Sequence, residues 1–260
     1  MPHPRLQSIR IVLVEPAGAL NVGSVARVMK NMGLQQLVLV QPHCDPVGAE
    51  ARLMAVHAPE ILENAQIVET LPQALVGCQR AIATTGKPDL ATLPLEPPRQ
   101  AFPWLLTAPP EQPSAIIFGP EDRGLTIAEL HHAHRWVCIP THPDYPSLNL
   151  AQAVAICAYE LAQQAELATL GQLGTATWGK NPIAETAIAP APLDHLEGLY
   201  GHLERVLLDI GYLYPHTATS RMQKFRRLLH RALPSTEETA MLRGILSQVE
   251  WALQHRDKKP

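Results

Sequence analysis

The sequence predicts an α/β domain built on a parallel sheet and followed by a small helical extension. Three observations predict it. The first 40 residues alternate an apolar, β-branched run, a helical apolar spacing and a second apolar run. Runs of the same strand type recur at 80–84, 115–118 and 136–139. Beyond residue 191 such runs stop, and helical spacings divided by prolines take over.

Ile9-Arg-Ile-Val-Leu-Val14, ended by Pro16 and Gly18, reads as a buried strand. Val22, Val25, Ala26, Met29 and Met32 then recur at helical spacing, and Gly33 stops that helix. With a strand at 37–40 this is a βαβ unit, which implies a parallel sheet with a right-handed crossover. Helices are expected around 49–57 and 71–77. Residues 86–113 hold eight prolines and no periodic pattern, so they read as an ordered loop or a cover over a substrate. A long Ala-rich helix runs from Leu150 to about 170. The Gly-, Thr- and Pro-rich stretch 171–191 reads as a linker. It divides a domain at 1–170 from an extension at 192–260, whose helices fall near 192–211, 219–232 and 235–255 with Ser235 as an N-cap.

At 260 residues, 46% of them apolar, the chain has enough material for a real core. Its net charge of −3 gives no global sign of a nucleic-acid partner. The charge is unevenly spread, however. Residues 1–200 hold 11 Lys/Arg against 18 Asp/Glu, a net of −7, whereas 201–260 hold 10 against 6, a net of +4. A basic tail on an acidic body reads either as a polyanion contact or as a solvated helix face. The four cysteines form no C-x-x-C pair and have no histidines at metal-ligand spacing, and Cys78, Cys138 and Cys157 read as small core hydrophobes. No apolar run reaches membrane-spanning length and the N-terminus has no signal-like region, so the expected compartment is the cytoplasm.

Three segments at strand-to-helix junctions carry the chemistry. In Asn21-Val-Gly-Ser-Val-Ala-Arg27, Asn21 reads as a helix cap and Gly23 as room for an approaching group. Taken alone, Arg27 reads as a side chain in water. In Phe118-Gly-Pro-Glu-Asp-Arg-Gly-Leu125, Gly119 offers bare backbone, and Thr126 to Glu129 fits a capping box. Glu121, Asp122 and Arg123 between the glycines read as turn residues or as ligand-facing groups, and His131, His132 and His134 as exposed side chains on the next helix. In Ile139-Pro-Thr-His-Pro-Asp-Tyr-Pro-Ser-Leu-Asn-Leu150, three prolines surround Tyr145 and stiffen the loop. Ser147 reads as a cap of the long helix, or with Asn149 as a group aimed into a pocket at the sheet's C-terminal edge. The dinucleotide pattern G-x-G-x-x-G, the P-loop, a Ser-centred nucleophile elbow and H-E-x-x-H are all absent. The residues by themselves support an α/β enzyme or binding protein with a pocket at these loops.

The three segments in this order resemble the TrmJ-like branch of the SPOUT RNA ribose 2'-O-methyltransferases, over residues 8–165 and more weakly through the tail, where Leu242-Arg-Gly-Ile-Leu246 is similar. The resemblance implies a sheet with a C-terminal trefoil knot within 115–161, and a homodimer whose active site takes Arg27 from the second subunit. It implies S-adenosylmethionine against Thr84, Thr85, Gly86, Gly119, Ile139, Pro146, Ser147 and Leu148. The family's catalytic positions fall on Arg27, Glu121, Ser147 and Asn149. RNA contacts fall on Asn21, Arg27, Lys87, Arg123 and a basic stripe of Lys224, Arg227 and Arg231. The implied partner is tRNA, with methylation of cytidine or uridine at position 32 of the anticodon loop and with no metal and no membrane. The alternatives are ribose methylation of ribosomal RNA and a non-catalytic RNA-binding protein of the same fold. One stretch departs from the family: relatives carry Thr-Ser/Thr-Ala-Arg where this chain reads Thr84-Thr-Gly-Lys87, so Lys87 stands where a bidentate Arg is usual.

Overall fold

A computed structural model of the chain describes residues 4–87, 94–109, 111–169 and 189–255. The chain divides into two compact units, Met1–Lys180 and Asn181–Pro260. Most of the expected linker, residues 171–188, lies outside the described residues.

The first unit is a seven-stranded sheet with every pairing parallel. Its strands are β1 (Ile9–Val14), β2 (Gln36–Val40), β3 (Gln66–Val68), β4 (Arg80–Thr84), β5 (Leu95–Glu96), β6 (Ser114–Phe118) and β7 (Arg135–Val137). They lie in the order β3-β2-β1-β6-β4-β7-β5. Strand β6 thus enters between β1 and β4, and β7 between β4 and β5.

Burial explains why β1, β4 and β6 read as mainly apolar runs, with Arg10 and Arg80 half-buried near the strand starts. Ile11, Leu13, Ile82, Ile116 and Phe118 join one continuous core with the helices Ala19–Asn31, Pro98–Leu106 and Leu150–Thr169. The intervening Val12, Ala81, Ala83 and Ile117 are buried as well. A parallel sheet covered on both faces has no polar alternation to display.

Several expectations are corrected. The helix expected over 49–57 ends at Ala55, where Val56 adopts φ 55, and a separate helix Pro59–Glu63 follows. The proline-rich stretch is not an irregular cover. It contributes β5 and the helix Pro98–Leu106, whose Ala101, Phe102, Leu105 and Leu106 are buried. Pro97 stands at the N-cap and Pro98 at the first helical position, where a missing N–H costs nothing. Residues 88–93 and 110 of that stretch lie outside the described residues.

The second unit contains the helices Leu193–Asp209, Pro215–Ala232 and Thr236–Gln254. Ala191, Leu193, Leu196, Leu199, Tyr200, Val206, Leu213, Ala218 and Met222 are its buried apolar side chains among the described residues. Ser235 caps the third helix in a reciprocal box with Glu238. No helix among the described residues is long and apolar enough to cross a membrane.

Candidate active site

The C-terminal ends of β4, β6 and β7 stand side by side, and the loops that leave them enclose one cleft. This is the edge at which parallel sheets present strand ends and helix starts to ligands. Thr84, Thr85 and Gly86 form one wall, Gly119 to Gly124 the second, and Ile139 with Pro146, Ser147 and Leu148 the third. All eight residues expected at the cofactor therefore line a single cleft. Phe118, Leu150 and Ala153 give it an apolar floor, and Lys87 and Asp122 stand at the wall as charges. A Cβ added at Gly86 would project toward the Pro146 carbonyl, 3.9 Å away, and narrow the gap between two walls.

A chain of hydrogen bonds joins the three segments. Glu121 accepts from Ala17 N–H at 3.1 Å, Gly18 N–H at 3.3 Å and Asn21 Nδ2 at 2.8 Å. Asn149 Nδ2 donates to Asn21 Oδ1 at 3.0 Å. Asn149 Oδ1 in turn accepts from Ala151 N–H at 2.9 Å and Gln152 N–H at 3.3 Å. Backbone N–H groups only donate and an ionised carboxylate only accepts, so both amides have one permitted orientation. Burial alone would raise the Glu121 carboxyl, but the bonds from Asn21, Ala17 and Gly18 outweigh it and hold the pKa below the usual 4.5. Glu121 thus fills the anion position at the start of the helix Ala19–Asn31 with the protein's own carboxylate.

This network reassigns two caps. Gly18 is the N-cap of the helix Ala19–Asn31, and Asn21 sits inside it with its side chain committed to Glu121 and Asn149. Asn149, not Ser147, caps the helix Leu150–Thr169. Ser147 is exposed on the cleft wall.

Arg123 stands on the second wall of the cleft with its side chain 34% exposed. Its guanidinium is held by Glu15 at 2.7 Å and by Glu129 at 2.9 Å, and both raise its pKa. Burial would raise the Glu129 carboxyl, but Arg123 and Thr126 hold it low. These ion pairs fasten the end of β1 and the capping box of Thr126 to the glycine loop. Gly124 turns that loop at φ 68. Gly119 is needed for the loop's own closure, because a Cβ there would meet Leu125 N at 2.3 Å. Gly23 likewise serves packing rather than an approaching ligand: a Cβ would stand 2.1 Å from the Ala51 carbonyl of the neighbouring helix.

Arg27 is exposed on the helix Ala19–Asn31, makes no ion pair or hydrogen bond among the described residues, and does not line the cleft of its own chain. His131 and His134 are buried rather than exposed, because the helix expected to carry them ends at Leu130 and the turn that follows packs against the sheet. His134 Nδ1 accepts from Ala81 N–H at 3.2 Å, and the His131 ring meets Trp136 edge-on.

In the second unit the basic helix is only partly available. Arg226 pairs with Glu197 through both nitrogens and lies 4.4 Å over the Tyr200 ring. Arg221 donates to the Tyr212 carbonyl at 2.9 Å. Lys224 and Arg231 are exposed, and Arg227 is half-buried.

Sequence reasoning missed Glu15 and Glu129 as holders of Arg123, and Asn21 as the link between Glu121 and Asn149. Each lies near a glycine loop in the sequence, but the pairings span from 6 to 128 residues, and only the fold brings them together.

Residues 8–159 match the SpoU rRNA methylase family, and residues 194–259 match the C-terminal domain of the tRNA methyltransferase TrmJ. A Cronobacter sakazakii protein named tRNA (cytidine/uridine-2'-O-)-methyltransferase TrmJ is 41% identical over 256 residues, covering 98% of this chain and 100% of that protein. A Klebsiella pneumoniae protein of the same name is 42% identical over 246 residues, or 94% of this chain and 97% of that one. The crystal structure of TrmJ from Z. mobilis superposes with a TM-score of 0.77 at 32% identity, covering 93% of this chain and 98% of that one.

Proposed function

The chain belongs to the SpoU rRNA methylase family and carries the TrmJ C-terminal domain, and from that membership we propose that it is an S-adenosylmethionine-dependent tRNA ribose 2'-O-methyltransferase. Its target is cytidine or uridine at position 32 of the anticodon loop, and it works in the cytoplasm. One observation carries the reading: the second and third segments wall one cleft together with the end of β4, and the Glu121–Asn21–Asn149 chain ties the first segment to them. The matched tail favours tRNA over ribosomal RNA.

The cleft suits the methyl donor. Its apolar floor takes a flat base, and the strand ends at Thr84 to Gly86 offer backbone polar groups. Bound there, S-adenosylmethionine supplies an electrophilic methyl group with a good leaving group. The protein's task is then to place the ribose hydroxyl in line and to stabilise the charge that develops on it. Ser147 stands at the wall to orient the hydroxyl. Asn149 and Glu121 hold the loop and the first helix in fixed relation. Arg27 grips the adjacent phosphate and stabilises the oxyanion. Its exposure and its distance from its own cleft support a homodimer in which each subunit completes the other's site. We further infer that 115–161 is threaded as a trefoil knot, which the entry of β6 and β7 between earlier strands supports.

Incubation with labelled S-adenosylmethionine and unmodified tRNA transcripts tests this reading. Label in tRNA supports it. Binding of the donor without transfer to any tRNA contradicts it.

A further inference from the structure

The loop Pro140-Thr-His-Pro-Asp-Tyr-Pro-Ser147 holds a side chain that neither the cleft nor the hydrogen-bond chain uses. Tyr145 is 79% exposed, more than any other large apolar side chain among the described residues. Its ring has no partner among them. The backbone beneath it, by contrast, is held. Pro143 and Pro146 fix φ close to either side. Thr141 Oγ1 donates to the Pro146 carbonyl at 3.1 Å, and Tyr145 N–H donates to the His142 carbonyl at 3.1 Å. The ring is therefore presented on a loop already ordered, and a ligand that stacks on it pays little for further ordering.

The loop's charge indicates which part of a nucleic acid it meets. It contains no Lys or Arg, and Asp144 beside the tyrosine is 88% exposed on its side chain. Such a loop does not hold phosphate. What it offers is an aromatic plane. Two residues on, Ser147 lines the cleft, and Pro146 between them is part of the same wall. A nucleotide whose ribose enters the cleft leaves its strand's stack, and its base or its neighbour's needs a new π-surface.

We propose that Tyr145 is a base-stacking platform for single-stranded RNA at the mouth of the cleft. The platform rests on the reading of the chain as an RNA ribose methyltransferase, and it names a residue that selects unpaired nucleotides for that reaction. Stacking is tolerant of base identity, which fits relatives whose names carry both cytidine and uridine.

The test compares Tyr145→Phe, Tyr145→Leu and Tyr145→Ala with the wild-type protein. Four quantities are measured: affinity for an unmodified tRNA transcript, methyl transfer to it, S-adenosylmethionine affinity by calorimetry, and molecular mass by light scattering. Removing one stacked base weakens tRNA binding about tenfold. Tyr145→Ala and Tyr145→Leu should both show that loss, with donor affinity and mass unchanged, and Tyr145→Phe should match the wild type. Leucine matching phenylalanine would overturn stacking, since area alone would then suffice. A fall in mass would overturn the platform in favour of packing against a second copy of this chain. Unchanged tRNA affinity in Tyr145→Ala, with wild-type transfer intact, sinks the platform alone; a wild-type protein that neither binds nor methylates tRNA sinks the functional reading with it.

Discussion

Asn149 Nδ2 donates to Asn21 Oδ1 at 3.0 Å across 128 residues of sequence, while Asn149 Oδ1 caps the helix Leu150–Thr169. One amide thus does two separable things. Its oxygen starts a helix, and its nitrogen ties the third segment to the first. Asn21 passes the tie on to Glu121 in the second.

Asn149→Asp separates the two roles. Aspartate caps a helix as well as asparagine but cannot donate to Asn21. The melting temperature is expected to stay near that of the wild type while methyl transfer falls about a hundredfold, the scale of a small misplacement at a reacting centre. Differential scanning calorimetry beside a single-turnover assay checks this, and undiminished transfer would show that the tie has no part in the reaction.

Arg27 is expected to act from the neighbouring subunit. Arg27→Ala and Asn149→Asp should each be inactive when pure. Mixed dimers of the two retain one intact site, so random mixing should restore about a quarter of wild-type activity. No recovery on mixing would place Arg27 at the cleft of its own chain. Arg27→Lys tests the fork itself, and near-normal rates would remove any need for planar geometry.

Gly23→Ala is expected to destabilise without touching the cleft. Its new methyl group would stand 2.1 Å from the Ala51 carbonyl, so the helices Ala19–Asn31 and Ala49–Ala55 must separate. Overpacking of this kind costs about 1–3 kcal/mol. Urea denaturation reads the loss, and an unchanged midpoint would mean that the helix contact yields freely.

The carboxylates set the acid limb of stability. Glu121 and Glu129 both have folded pKa values below the ordinary 4.5. Their stabilisation is complete above the unfolded value and disappears as pH falls through the lower folded values. Stability should therefore hold from pH 7 to about 5 and decline below 4.5, with a shallower decline in Glu121→Gln. Parallel slopes for the two proteins would show that Glu121 contributes nothing to the limb.

How much of this was legible in the sequence follows from range. The strands at 9–14, 80–84 and 115–118 are buried on both faces, and they were visible as apolar runs. The boxes at Thr126 and Ser235 are local chemistry and form as expected. Strands β3 and β5, with three and two residues, are too short to show a pattern. Pro97, Pro98 and Pro103 disguised a helix as a loop, although the first two stand where proline suits a helix start. All eight expected cleft residues meet because they follow strand ends that become neighbours only in the sheet. Arg123 could not be read from its loop, since the acids that hold it lie 108 residues before it and 6 after it.

The most direct test of the account locates the methyl group. Unmodified tRNA is incubated with S-adenosylmethionine and the protein, digested with nucleases and mapped by mass spectrometry, with Arg27→Ala as control. The account predicts a 2'-O-methyl pyrimidine at position 32 that is absent in the control. A methyl group on a base nitrogen, or one that persists without Arg27, would contradict it.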